Sequence, residues 1–218
     1  MKDDLARAAV VQGDDEEVRA ILQEVCDLTE MGFAALARVT EERWIACQVV
    51  DRIAFGLTPG GELEVQKTIC NEIRQHPEAV VFDDAVDDPK WETHPVPIFY
   101  GFRSYASFPV ILADGTFYGT LCAIDPARRN VSSEAVITAL RAAADRIAAL
   151  LSAKLGLEPL PLEGDKGEPE ASSRSEVVEE SARQEDLPVT PPSSRTTVFK
   201  PRDGSRKSGG GSRAEPSS

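Results

Sequence analysis

Apolar residues recur at three- and four-residue steps in some stretches of the chain and run continuously or alternate in others, and that contrast predicts its elements. Residues 14–17 form an acidic helix start favoured by the helix dipole. Val18, Ile21, Leu22, Val25 and Leu28 follow on one face, giving an amphipathic helix that ends near Gly32. Residues 33–39 and 44–50 are apolar, partly β-branched runs joined by a short polar link, and predict a β-hairpin. Residues 55–61 form a loop by their glycines and proline, and a short helix fits 66–75. A brief strand follows at 79–82, and the Pro-rich aromatic stretch 88–102 reads as short helical turns and loop. Residues 104–112 and 117–124 flank Asp114-Gly115, a strong hairpin signal. The last helix is capped by Ser132 or Ser133, and Val136, Leu140, Ala143, Ile147, Leu150 and Lys154 step along it as a heptad-like seam. This order predicts an α+β architecture, a central antiparallel sheet with helices packed on it.

The patterned region ends near Pro159. From Pro161 onward Glu, Ser, Pro, Gly and Arg dominate, and such a segment cannot bury enough apolar surface to offset its ordering entropy. The expected organisation is a flexible N-terminus at 1–13, one folded domain at 14–157 and a disordered low-complexity tail at 158–218. The net charge of the 218 residues is −13, and residues 1–160 hold 15 Lys and Arg against 26 Asp and Glu. An acidic body disfavours nucleic acid and anionic lipid as partners. Within the tail, Val177-Val178 and the basic segment 196–202 are candidates for contact with a signalling partner, the alternative being a solvated tail without function.

No apolar run is long enough to span a membrane and the N-terminus lacks the pattern of a signal peptide, so a cytoplasmic protein is expected. Cys26, Cys47, Cys70 and Cys122 lie far apart in apolar segments, which suits reduced, buried thiols. The two histidines, His76 and His94, stand at no ligand spacing, so no metal is expected. The carboxylates of Asp83, Asp84, Asp87 and Asp88 read either as a cation site or as loop and helix caps. No phosphate-binding loop, kinase signature, Ser-His-Asp order or HExxH occurs.

Several phrases in order resemble the GAF domain family. Residues 31–39 resemble its first core strand, 68–73 the helix beside its pocket, and 104–110 the strand ending in a "SxxxxP" phrase. Most specific is the run 114–125, which resembles the family's "dGxxxGtLcaiD" strand, with Gly119 where the backbone twists and Asp125 ending the strand. The resemblance implies a non-catalytic sensory domain with a cup over one face of the sheet. It also implies terminal helices that bundle in a homodimer. The signature of cyclic-nucleotide binders is missing, and Cys70 lacks the following histidine usual at bilin-attachment sites. Free-methionine-sulfoxide reductases carry a cysteine near the place of Cys70, but their further cysteines are not found around 81–85.

A ligand in such a cup would meet Phe55, Ile69, Cys70, Ile73, Trp91, Phe99, Tyr100, Phe102, Tyr105, Ser107 and Cys122, with Arg103 available to an anionic group. A plain packed core would use the same aromatics. Dimerisation is expected through Val18, Ile21, Leu22, Val25, Val136, Leu140, Ala143, Ile147 and Leu150, whose alternative is packing on their own sheet. A small-molecule sensor of unknown ligand thus stands beside a ligand-free dimeric interaction module, and a thiol redox enzyme stands third.

Overall fold

Eleven helices and strands follow one another along residues 2–160, the part that the computed structural model describes. They are α1 (Lys2–Gly13), α2 (Glu16–Thr29), β1 (Phe33–Val39), β2 (Trp44–Asp51), β3 (Glu62–Leu63), α3 (Ile69–Gln75), β4 (Val80–Phe82), α4 (Pro95–Tyr100), β5 (Ser104–Ile111), β6 (Phe117–Asp125) and α5 (Glu134–Leu155). A single 3₁₀ turn, Val65–Lys67, precedes α3. The tail segments singled out above, Val177-Val178 and 196–202, lie outside the described residues.

The strands form one sheet in the order β3-β2-β1-β6-β5-β4, every neighbour antiparallel. Both faces are covered, which is why the strands read as nearly continuous apolar runs rather than as alternating ones. One face carries α1, α2 and α5 over Leu36, Ile45, Phe108, Leu121 and Ala123. The other carries α3, α4 and the intervening loops over Phe33, Ala35, Trp44, Phe82, Tyr105, Cys122 and Ile124.

The helix starts follow their chemistry. Asp15 caps α2, accepting from the backbone N–H of Glu17 at 2.7 Å, and its carboxylate also meets Lys154 Nζ at 2.9 Å. Ser133 rather than Ser132 caps α5, because Ser132 is bound to Asp83, whose carboxylate accepts from the backbone of Val131 and Ser132 and from the Ser132 hydroxyl. Asp125 ends β6 as the motif suggests, accepting from the N–H of Gly32 at 2.8 Å and of Ala127 at 2.8 Å. Gly119 acts by space rather than by backbone twist. Its φ is not left-handed, and a β-carbon there would overlap the Ala37 carbonyl oxygen on β1.

Two expectations change. Residues 1–13 were expected to be flexible, but Lys2–Gly13 form helix α1, which packs on β2 with Ala9 buried and Gly13 pressed against Cys47. The stretch is short of strong apolar steps, so its helix is held by this packing. The proposed dimer seam is also used otherwise. Val18, Ile21, Leu22, Val25, Leu140, Ala143 and Ile147 are buried inside this chain, where α2 and α5 pack together and on the sheet, while Val136 and Leu150 are half-buried. A heptad-like spacing marks one apolar stripe, and here the sheet and the neighbouring helix take it up.

Candidate functional site

The sheet face opposite α2 and α5 holds a cup closed over by α3, α4 and the loop after β2. That loop is fixed by Asp51, whose carboxylate accepts from the N–H of Ile53 and Phe55 at 3.1 Å and of Gly56 at 2.8 Å. Phe55 is thereby set against Phe33 and Tyr100, with ring centroids at 5.0 and 5.9 Å. α4 begins at His94, whose Nδ1 accepts from the N–H of Val96, and stops at Gly101 in the left-handed region. This short helix brings Val96 and Tyr100 over the sheet. Beneath them lies a cavity of about 40 Å³, lined by Phe33, Trp44, Phe55, Leu63, Thr68, Ile69, Cys70, Val96, Tyr100, Phe102, Tyr105, Cys122 and Ile124. That is room for roughly one or two water molecules.

Of the residues expected to line a cup, Phe55, Ile69, Cys70, Tyr100, Phe102, Tyr105 and Cys122 meet at this cavity. Ser107 is fully buried just behind it, its Oγ 4.0 Å from Cys70 Sγ. Ile73, Trp91, Phe99 and Arg103 do not line it. Ile73 is buried one turn further along α3, and Trp91 stacks on Phe82 at 4.8 Å. Phe99 is 42% exposed and has Lys67 over its ring. Arg103 forms a two-pronged ion pair with buried Asp84, which holds the Asp84 carboxyl below its ordinary pKa and engages the guanidinium that was expected to meet an anionic group. The other carboxylates of that loop are engaged too: Asp83 by residues 131 and 132, Asp87 by Arg128, and Asp88 by the N–H of Lys90.

Sequence reasoning missed Phe33, Trp44, Leu63, Thr68, Val96 and Ile124. The period of two would have found some of them, since Ile124 shares a sheet face with Cys122 and Phe33 lies opposite Ile124 in register. It also treated the four cysteines as isolated, and the fold brings two of them together. Cys70 on α3 and Cys122 on β6 are neighbours in the cup wall, and the Cys122 thiol donates to the Ala35 carbonyl at 3.6 Å. Thr120 Oγ1 donates to Cys70 Sγ at 3.2 Å, and Tyr105 Oη stands at 3.5 Å. The Cys122 thiol first, then Thr120 and Tyr105, hold Cys70 below the ordinary thiol pKa against its burial. The neighbouring Cys70, together with burial, pushes Cys122 well up, so Cys70 is the member that ionises first. Cys26 and Cys47 lie on the other face, each pushed up to about 11 by burial.

Trp44 Nε1 is buried and directed at the Cys70 sulfur, the acceptor beside it.

An antiparallel six-stranded sheet with a covered cup on one face and helices from both ends of the domain on the other is an α+β layer architecture. The GAF domain family profile matches residues 15–151, more than half of the chain, and the chain belongs to that family. No curated protein matches it. Among solved structures it is similar to the GAF domain of the Acinetobacter phosphoenolpyruvate-protein phosphotransferase, at TM-score 0.52 and 13% identity over 74% of this chain and 98% of that one. The chromophore-binding domain of the Stigmatella aurantiaca bacteriophytochrome matches at TM-score 0.51 and 16% identity over 68% of this chain. This chain spans 59% of that one. The type II free methionine-R-sulfoxide reductase of Thermoplasma acidophilum matches at TM-score 0.50 and 15% identity over 72% of this chain and 99% of that one. At these identities the likeness is one of fold. Among the described residues no helix is long and apolar enough to cross a membrane.

Proposed function

We propose that this chain is a non-catalytic small-molecule sensor whose ligand occupies the cup and whose output leaves through α2 and α5. The observation that carries the reading is the cavity itself, walled by apolar side chains beneath α4 and the loop after β2. A plain core would have filled that space. Transmission follows from the strands shared by the two layers. On β1 and β6, Ala35, Cys122 and Ile124 face the cup, whereas Leu36, Leu121 and Ala123 face the helices. A ligand that widens the cup presses on the first set, and the second set passes the shift to α2 and α5, as close-packed layers do. With the inner faces of those helices occupied, the surface left for a second copy is the open groove between them, bordered by Ala20, Ala149, Leu150 and Ala153.

The small volume of the cavity favours a second reading, a ligand-free interaction module that keeps the fold. Mass spectra of the full chain purified from its own host, taken under native and then denaturing conditions, separate the two. Sensing predicts extra mass that is lost on denaturation. A bare polypeptide mass under native conditions would instead favour the interaction module, and the same spectra read the oligomeric state.

A further inference from the structure

Of the four cysteines of the chain, Cys70 and Cys122 are the two that wall the cavity, and the residues around them show how closely they approach. Cys70 Sγ lies 3.2 Å from Thr120 Oγ1 and 4.0 Å from Ser107 Oγ. Thr120 stands two residues before Cys122 on β6 and so shares its face, and Ser107 is opposite Cys122 in the register of β5 with β6. The Cys70 sulfur therefore rests on the sheet among the neighbours of Cys122, with the Cys122 thiol beside it. Its other partners are donors without charge: Trp44 Nε1 is directed at it, and Tyr105 Oη stands at 3.5 Å. Burial keeps the Tyr105 phenol protonated, so it can donate as well. Donors of this kind favour the thiolate at Cys70, while Cys122 keeps a proton that it gives to the Ala35 carbonyl.

The cavity decides what can reach this pair. Its volume of about 40 Å³ suits a molecule of about two heavy atoms. Among the described residues no Asp, Glu, Lys, Arg or His lines it. An amino-acid sulfoxide, with its ammonium and carboxylate groups, would enter both oversized and without counter-charge. Hydrogen peroxide is neutral and small enough. Phe55 and Tyr100 wall the cavity and are themselves half-buried, so a single aromatic layer separates it from solvent.

We infer that Cys70 and Cys122 form a peroxide-oxidised dithiol, which hydrogen peroxide entering the cup converts to a disulfide that ties α3 to β6. The Cys70 thiolate attacks one peroxide oxygen and the O–O bond breaks, leaving a sulfenic acid on Cys70 and a hydroxide that is protonated to water. The neighbouring thiolate that, with burial, raised Cys122 is then gone, and the Cys122 sulfur is the nucleophile next to the new acid. It displaces the sulfenic hydroxyl, which takes the Cys122 proton and leaves as a second water while the S–S bond forms. Peroxide gains the two electrons that the two thiols lose. The product carries no charge, as the apolar wall favours. The inference goes beyond the ligand reading and needs only these thiols and the cavity beside them.

The full chain is reduced, freed of reductant and given equimolar hydrogen peroxide, then denatured in an alkylating agent and mapped by peptide mass. The expected result is a cross-linked Cys70–Cys122 peptide that dithiothreitol reverses, with Cys26 and Cys47 alkylated. Free Cys70 should disappear about tenfold faster than Cys26 or Cys47, its larger thiolate fraction outweighing its lower nucleophilicity. In Cys122→Ser, dimedone should trap the sulfenic acid on Cys70. Alkylation of all four thiols after peroxide, or a first loss at Cys26 or Cys47, would overturn the inference. So would a wild-type Cys70 that runs on to sulfinic acid while Cys122 stays free. Should Cys122→Ser fail to fold, the wild-type map alone decides.

Discussion

Gly119 offers the sharpest test of the sheet that positions the cup. It lies on β6 opposite Arg38 of β1 and opposite Val110 of β5, in the middle of the sheet. A β-carbon on it would overlap the Ala37 carbonyl oxygen and stand 2.9 Å from the Ala37 carbonyl carbon and 3.0 Å from the Val39 nitrogen. All three are backbone atoms, so no rotamer change relieves them. Clearing the overlap in Gly119→Ala requires β1 and β6 to part by about 1 Å from a spacing of roughly 4.8 Å. Ladder bonds of about 2.9 Å then stretch beyond the range of a hydrogen bond.

Two such bonds lost at about 1 kcal/mol each, with their buried groups left partly unmatched, give a destabilisation of about 3–6 kcal/mol. That is a large share of a domain stability of about 5–15 kcal/mol. Urea unfolding followed by circular dichroism measures it, with Gly156→Ala as the control. Gly156 is also non-replaceable by φ, at +65°, but has open space around it, so the control should cost only about 1 kcal/mol. A Gly119→Ala protein within 1 kcal/mol of wild type would refute the close approach of β1 and β6.

Two further outcomes follow from the packing of the other face. Ile147→Ala should cost about 2–5 kcal/mol of unfolding free energy, because Ile147 is fully buried within one chain. Its loss should leave the sedimentation coefficient of the folded protein unchanged; a folded variant that merely dissociates would restore Ile147 to a dimer seam. The second concerns alkaline pH. Native Cys47 keeps its proton to about 11 whereas the unfolded thiol loses it near its ordinary value, so the unfolded state binds fewer protons in that window. Its contribution is present below the unfolded pKa and is lost as pH rises toward 11, at about 1.4 kcal/mol per pH unit. Cys70 carries the opposite sign: its lowered native pKa stabilises above the unfolded value, and that is lost as pH falls through the native one. Urea unfolding from pH 8 to 11 should therefore show a shallower decline in Cys47→Ala than in wild type, and identical slopes would contradict the assignment.

Long elements were legible in the sequence because each has a local cause that survives in the fold. The period of α2, the Asp114-Gly115 turn and the continuous runs of β5 and β6 depend on nearby residues, and β1, β2, β4, β5 and β6 stand within a residue or two of expectation, whereas the two-residue β3 was not foreseen. Helix α1 was not legible, since what holds it is Cys47 and the rest of β2, more than thirty residues away. The amphipathic stripe of α5 was visible, but not its occupant. A stripe reports only that something apolar covers it, and choosing between a second chain and the chain's own sheet needs the third dimension.

The cup shows the same division at the level of single atoms. Aromatic and apolar residues in the irregular stretch could be assigned to its wall, yet Trp91, Phe99 and Arg103 turned elsewhere because Phe82, Lys67 and Asp84 offered each a better local partner. Trp44 was read only as the start of a strand. Its role depends on register: Val39 opposite it on β1 has the parity of Phe33, Ala35 and Ala37, so the indole enters from the same face as Cys122 and Ile124. That register also brings its N–H to the Cys70 sulfur. Residue types can suggest a pocket, but which side chains wall it appears only once strand register and helix placement are fixed.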